Sequence, residues 1–468
     1  MNEQLTYLIQ NLDQNEYSYE SEVISNHSID WRKNFNGNAS IVIFPKSVDK
    51  LVNVIKKCNE KKISVIPQGG NTSLVGGSVP LENSKMLQII INFKKLNKII
   101  NLDPNSFSIQ IESGCILEDI QHFLSKKNFC FPLSIGSRGN CQIGGNISSH
   151  AGGTNVIKYG TLRSNILGLE AVMADGSFFS SMKNVRKDNT GYDLKQLLIG
   201  SEGTLGLITA ANIRVFPKPL ETRVVFGTFS NIEGLLNFYS KIRINYHDLL
   251  TSFELVNSEA MELVIQKNNK KRILKKNNFY CLIELSNFTH NVDFFGKIED
   301  FFFESLEDSE DFIFSKSYEE NKQLWDYREL IPIAETKLEF CINHDISIPL
   351  DKISSFIKKT EKEISLIDKC FRIINFGHIG DNNLHYNIFS TDDKKNEKLK
   401  QKQSVINKII FENVSNHGGS FSAEHGVGQL RIDELKRYKT SFEVEQMRKI
   451  KKIFDPNNIL NPNKLFKN

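Results

Sequence analysis

Apolar positions along this chain change period several times, and each change marks an element. Val48, Leu51, Val52, Ile55 and Cys58 recur at helical spacing behind Ser47, a good capping residue. A short apolar run over 63–66 reads as a strand and opens directly into Pro67-Gln68-Gly69-Gly70-Asn71-Thr72-Ser73-Leu74-Val75-Gly76-Gly77. Strands are expected over 87–91, 98–102 and 107–112, and a helix over 116–127. A second loop rich in Gly, Ser and Asn follows over 132–153. The run 167–174 reads as a strand closed by an Asp175-Gly176 hairpin turn. Gly200-Ser201-Glu202-Gly203-Thr204-Leu205-Gly206 is a third glycine-rich turn, and it enters a strand. Glycines in such loops let the backbone approach a ligand and aim N–H groups at anionic oxygens. No Gly-Lys-Ser/Thr closes the first loop, and it is not a GxGxxG that opens a helix. Three such loops separated by regular elements point to one long polyanionic cofactor.

After Phe216-Pro217-Lys218-Pro219 the pattern changes, as at a domain exit. Strands over 223–228, 252–256, 280–285 and 344–348 alternate with helices over 232–242, 258–267, 291–306, 323–335, 352–365 and 397–416. This is an α+β pattern with an antiparallel sheet of duplicated ferredoxin-like type. The chain closes on a turn-rich tail, Phe454-Asp455-Pro456-Asn457-Asn458-Ile459-Leu460-Asn461-Pro462-Asn463-Lys464.

The stretch Phe376-Gly377-His378-Ile379-Gly380-Asp381-Asn382-Asn383-Leu384-His385-Tyr386-Asn387 reads as a β-hairpin around a Gly-Asp-Asn-Asn turn. Pairing about the Asp381-Asn382 midpoint sets His378 opposite His385, with Cβ atoms about 5 Å apart. Two imidazoles on one face can share a divalent metal at about 2.0–2.1 Å per nitrogen. Asn387 falls on the same face. Ser422-Ala423-Glu424-His425-Gly426 offers a third ligand.

Composition narrows the class. At 468 residues the chain exceeds one ordinary core, so several domains are expected. Hydrophobic residues at 40% and charged residues at 24% are those of a globular protein. The net charge of +4 is spread out, with no arginine-rich or aromatic-interleaved stripe for nucleic acid. Seven scattered cysteines, never CxxC, suggest a reducing compartment and no thiolate metal site. No apolar run approaches the roughly 20 residues of a spanning helix. The expectation is a cytoplasmic protein, or one peripheral to a membrane.

With these motifs in view, the chain resembles a known family. The PQGGNTSLVGG, QIGGNISSHAGG and GSEGTLGLIT stretches resemble the FAD-binding domain of the vanillyl-alcohol oxidase / p-cresol methylhydroxylase superfamily. GHIGDNNLHYN, SAEHGVG and FDPNNILNPNK resemble one branch of it, the FAD-linked D-2-hydroxy-acid dehydrogenases: D-lactate dehydrogenase, the glycolate oxidase FAD subunit and D-2-hydroxyglutarate dehydrogenase. The resemblance runs from about residue 41 to the C-terminus. It implies a two-subdomain FAD-binding domain over 1–218, a ferredoxin-like substrate (cap) domain over 219–410, and a C-terminal helical segment over 411–468 that packs on the FAD domain.

The resemblance implies FAD contacts from Pro67, Gly69, Gly70, Asn71, Thr72 and Leu74, with the diphosphate on the N–H groups of residues 69–72. It implies further contacts from Ser134, Gly136, Gly144, Gly145, Ser148, Ala151, Gly152, Glu202, Gly203, Gly206, Ile208 and Asn461. His378, His385 and Glu424 match metal ligands, a set that suits Zn²⁺ first and Fe²⁺ or Mn²⁺ as alternatives. His425 matches the general base. Arg328 matches a carboxylate-binding arginine and Asn387 a substrate-orienting amide, with His344 as a further substrate contact.

The implied reaction takes a D-2-hydroxy acid to the 2-oxo acid, with hydride to flavin and electrons to an external acceptor such as a quinone, a cytochrome or an electron-transfer flavoprotein. A homodimer is compatible with this. Two positions depart from the 2-hydroxyglutarate pattern: Pro332 replaces a Thr, and Asn343 replaces a Lys. The alternatives are a flavin subunit of a glycolate oxidase-type complex, a non-catalytic flavin- or metal-binding protein, and an oxygen-using oxidase.

Overall fold

The computed structural model describes residues 3–289, 294–305 and 311–467. The chain divides into two compact units. One comprises Met1–Gly152, Thr161–Pro217 and Glu424–Asn468; the other comprises Gly153–Gly160 and Lys218–Ala423. One break falls between Pro217 and Lys218. The second lies past the expected 410/411 boundary, which would cut the helix Asn396–Asn416. The excursion Gly153–Gly160 is unexpected. It joins the second unit through Ser252, whose Oγ donates to Thr154 O at 2.9 Å.

In the first unit, Val48–Lys61 is the expected helix, and Ser47 caps it by accepting from Lys50 N. Its buried stripe of Leu51, Val54, Ile55 and Cys58 shares a core with the parallel strands Ser64–Gln68 and Gln88–Asn92. A second sheet of this unit is wholly antiparallel, in the order Ile99–Asp103, Ser108–Glu112, Leu207–Arg214, Ile166–Val172, Phe178–Ser181. The C-terminal segment returns to the first sheet. Leu460 bridges Val65 in parallel fashion, and Ile459 and Leu460 lie fully buried in that core. The expected return of the tail is therefore seen.

The second unit is built on an eight-stranded sheet. Asp311–Phe314, Glu221–Phe229, Phe279–Asn287, Leu250–Asn257, Phe371–Gly377 and Asn383–Ser390 follow one another across it, all antiparallel. Cys341–Ile342 and Asp345–Ser347 both pair with Asn383–Ser390. The expected helix over 323–335 is two helices, Tyr318–Glu329 and Ile331–Glu335, meeting at Leu330. Pro332 has no N–H to continue the first ladder and instead starts the second helix. The expected helix over 291–306 is present as Phe294–Glu304; positions 291–293 and 306 lie outside the described residues. Among the described residues no helix is long and apolar enough to cross a membrane.

Candidate functional site

The glycine-rich loops of the first unit pack on one another. A Cβ at Gly70 would stand 1.9 Å from Asn140 O, and one at Gly144 would stand 2.5 Å from Ser113 Cβ. Only glycine allows those approaches. At Gly136 and Gly145 a Cβ would meet nothing within 4 Å, so open space adjoins both. Asn71 is left-handed (φ 54°), and its side chain is spent on the fold: Nδ2 donates to Ile29 O at 2.7 Å and Oδ1 accepts from Ser78 Oγ at 2.7 Å. Of the expected FAD residues in this loop, Asn71 thus has its side-chain amide engaged within the fold.

Glu202 ties the third loop to the C-terminal segment. Its carboxylate accepts from Val427 N at 2.7 Å and Gly428 N at 2.8 Å. Asn461 Nδ2 donates to Glu202 O at 2.8 Å and to Gly77 O at 2.9 Å. Burial pushes the Glu202 carboxyl up, against those N–H bonds and the nearby Lys464 charge. The Lys464 ammonium is buried with no hydrogen-bond partner, and burial pushes it down to about 7. Asn461 Oδ1 is also buried and unpaired. Glycine-lined space and, in the same unit, a buried ammonium with no hydrogen-bond partner fit a dinucleotide with anionic phosphates. Gly152 lies against Glu424, its Cβ position 3.0 Å from that carboxylate, so a side chain at 152 would displace Glu424. His425 is half-buried on the turn that Glu202 anchors.

In the second unit the hairpin forms with a different register. His385 pairs with Phe376, not His378. The strand Phe371–Gly377 ends one residue before His378, whose carbonyl then accepts from Asp381 N and Asn383 N, both at 3.1 Å, around the short helical turn Ile379–Asp381. Gly377 (φ 153°) and Asn382 (φ 77°) supply backbone angles that most side chains resist. The two-residue shift preserves the side-chain face. The rings of His378 and His385 stand 5.8 Å apart at 82°.

Each ring has a carboxylate behind it. His378 Nδ1 lies 2.8 Å from both Glu254 oxygens, and His385 Nδ1 lies 3.8 Å from Asp345 Oδ1. At His378 this carboxylate–imidazole arrangement suits a metal-ligating histidine and leaves Nε2 as the ligating nitrogen, whereas the 3.8 Å at His385 is beyond hydrogen-bond reach. Asp345 also fixes the end of the unit: Ala423 N donates to Asp345 Oδ2 at 3.2 Å, and Glu424 is the next residue.

Glu254 holds Arg328 as well, accepting from Nε at 2.8 Å. Arg328 is nearly buried and stacks over Phe376, its guanidinium carbon 4.6 Å from the ring centroid. Burial by itself would raise the Glu254 carboxyl; the His378 and Arg328 charges outweigh it and hold that carboxyl below its ordinary range. One turn earlier on the helix, Trp325 Nε1 donates to Glu284 at 2.9 Å. Burial pushes Glu284 up to about 7.

Asn387 is fixed at both ends, Nδ2 donating to Glu335 at 2.6 Å and Oδ1 accepting from His344 N at 2.9 Å. His344, expected as a substrate contact, instead engages Tyr386 O at 2.9 Å and Asn407 Oδ1 at 2.8 Å with its two ring nitrogens. Both nitrogens serve the fold, which makes His344 a support for Asn387. Glu254, Glu335 and Asp345 are the members that the sequence reading left without a role. Glu254 alternates with apolar neighbours as a wet strand position would, Glu335 ends its helix and Asp345 opens a short strand, so no pattern in the sequence singled them out.

Comparison with known proteins bears on this arrangement. Residues 39–181 match the family model described as FAD binding domain, and residues 218–465 match FAD linked oxidases, C-terminal domain. The chain is 34% identical to D-2-hydroxyglutarate dehydrogenase, mitochondrial, of Arabidopsis thaliana, over 98% of this chain and 82% of that protein. It is 36% identical to the protein of the same name from Danio rerio (95% and 81%), and 33% identical to D-2-hydroxyglutarate–pyruvate transhydrogenase of Saccharomyces cerevisiae (97% and 94%). Among solved structures, p-cresol methylhydroxylase with substrate bound superposes with a TM-score of 0.76 at 17% identity, over 99% of this chain and 96% of that one. That likeness is one of fold.

Proposed function

The chain belongs to the FAD-linked D-2-hydroxy-acid dehydrogenases, and from that premise we propose how its residues carry out the oxidation. It is an FAD-dependent oxidoreductase that takes the CH–OH of a D-2-hydroxy acid to the 2-oxo acid. FAD supplies the two-electron acceptor when bound. The glycine-lined loops of the first unit hold it, with Lys464 as a buried countercharge.

The observation that carries the residue assignment is the chain of contacts Arg328–Glu254–His378, which joins a helix, a strand and the hairpin turn of the second unit. Arg328 spends Nε on Glu254 and keeps its outer guanidinium edge for the substrate carboxylate. His378, His385 and Glu424 would hold a divalent ion, Zn²⁺ before Fe²⁺ or Mn²⁺, which supplies Lewis-acid lowering of the hydroxyl pKa. His425, half-buried on its turn, takes the hydroxyl proton as general base. Asn387, clamped by Glu335 and His344, orients the substrate. Electrons then pass to an external acceptor.

The acids around Arg328 bear on substrate choice. Glu254 neutralises it, Glu284 adds a second, half-buried carboxyl, and Asn343 stands where the resemblance to the 2-hydroxyglutarate pattern implies a lysine. A second substrate carboxylate would meet little cationic charge here. The expected outcome is a higher KM for D-2-hydroxyglutarate than for a D-2-hydroxy acid with an uncharged chain, measured by dye-linked turnover across a panel from D-lactate upward. The opposite order would sink this part. His378→Ala should keep FAD and lose turnover by orders of magnitude; full activity in that variant would remove the metal role.

A further inference from the structure

The centre of the second unit's polar cluster is Glu254, a fully buried carboxylate with two partners of different function. It lies in Leu250–Asn257, every residue of which is buried. Its oxygens reach His378 Nδ1 at 2.8 Å, and one of them accepts from Arg328 Nε at 2.8 Å. The paired strand carries the buried Leu282 opposite it. A carboxylate buried this completely is costly unless paired, and here both partners are groups assigned to the substrate chemistry.

We infer that Glu254 is a positioning residue that sets the ligand nitrogen of His378 and the fork of Arg328 together. By accepting from Nδ1–H it fixes the tautomer that leaves Nε2 as the donor. By accepting from Nε it turns the guanidinium so that its outer edge is presented as a planar pair of donors. One carboxylate thus holds the metal ligand and the carboxylate grip in a single register, and a shift of either moves the other. The inference rests on His378 being a metal ligand.

The test uses the FAD-loaded full chain with Zn²⁺ as probe. Competitive chelator titration reads Zn²⁺ affinity directly, without turnover. Glu254→Gln, nearly isosteric, should lower that affinity by about 10–100-fold and raise the KM for the hydroxy acid, with FAD content unchanged. Glu254→Asp keeps the charge but withdraws it by one methylene, and it should also weaken Zn²⁺; it serves if the Gln variant misfolds. Glu284→Gln removes a half-buried carboxyl from the same sheet without touching either histidine, and should leave Zn²⁺ affinity as in the parent. If Glu254→Gln and Glu254→Asp only lower the melting temperature and retain parental Zn²⁺ affinity and KM, Glu254 is structural and the inference fails. His378→Ala separates the two levels. If it too retains Zn²⁺, the metal reading itself has failed; if it loses Zn²⁺ while the Glu254 variants keep it, only the positioning role has failed.

Discussion

Gly70 shows what single residues contribute to the cofactor unit. A methyl group there would overlap a backbone carbonyl that cannot swing away, 1.9 Å off. Gly70→Ala is expected to cost about 1–3 kcal/mol as overpacking. It should also lower the FAD-to-protein absorbance ratio of the purified protein, whereas Gly136→Ala, with open space at its Cβ, should keep the fold. Lys464 acts through charge. Its folded pKa is depressed to about 7 while the unfolded chain keeps the ordinary lysine value, so between those limits the unfolded state binds the extra proton. Stability of the apoprotein should therefore rise from about pH 7 toward 10, and Lys464→Met should flatten that rise; urea midpoints against pH for the two proteins check it. An unchanged slope would mean the ammonium is solvated. Neither effect is legible in sequence alone, because burial of Lys464 follows from where the tail docks.

The hairpin shows what a sequence conveys about an element. Its existence, its turn residues and the shared face of the two histidines were legible, because a two-residue shift leaves strand parity intact. The register was not legible. Asn382 in the left-handed region and Gly377 at φ 153° let a wider turn form in place of tight pairing at the midpoint. Gly377→Ala would place a methyl 2.6 Å from Asn383 O. It should weaken Zn²⁺ binding while leaving FAD occupancy intact, and equilibrium dialysis followed by metal analysis measures the first. Glu254 was hidden for a related reason. A carboxylate alternating with Phe253 and Leu255 reads as the wet face of a strand, and only the packing of the sheet shows both faces covered.

At the scale of the molecule, each unit is assembled from separate stretches of chain. The prolines at 217 and 219 announced one boundary, but Gly153–Gly160 sits inside a glycine-rich run whose composition does not change where the chain crosses units. The C-terminal segment belongs to the cofactor unit through Leu460 beside Val65 and through Asn461 between Gly77 and Glu202. Truncation after Ala423 is expected to yield protein without FAD, and flavin fluorescence of the purified product tests that.

The central claim is oxidation of one enantiomer of a 2-hydroxy acid by the bound flavin. Anaerobic mixing of the FAD-loaded protein with D- and L-forms of the same acid, followed at the flavin absorbance band, tests it most directly. The D-acid should bleach the flavin and yield the 2-oxo acid in stoichiometric amount, while the L-acid leaves it oxidised. Bleaching by neither enantiomer of any acid in the panel, or by the L-form alone, would contradict it.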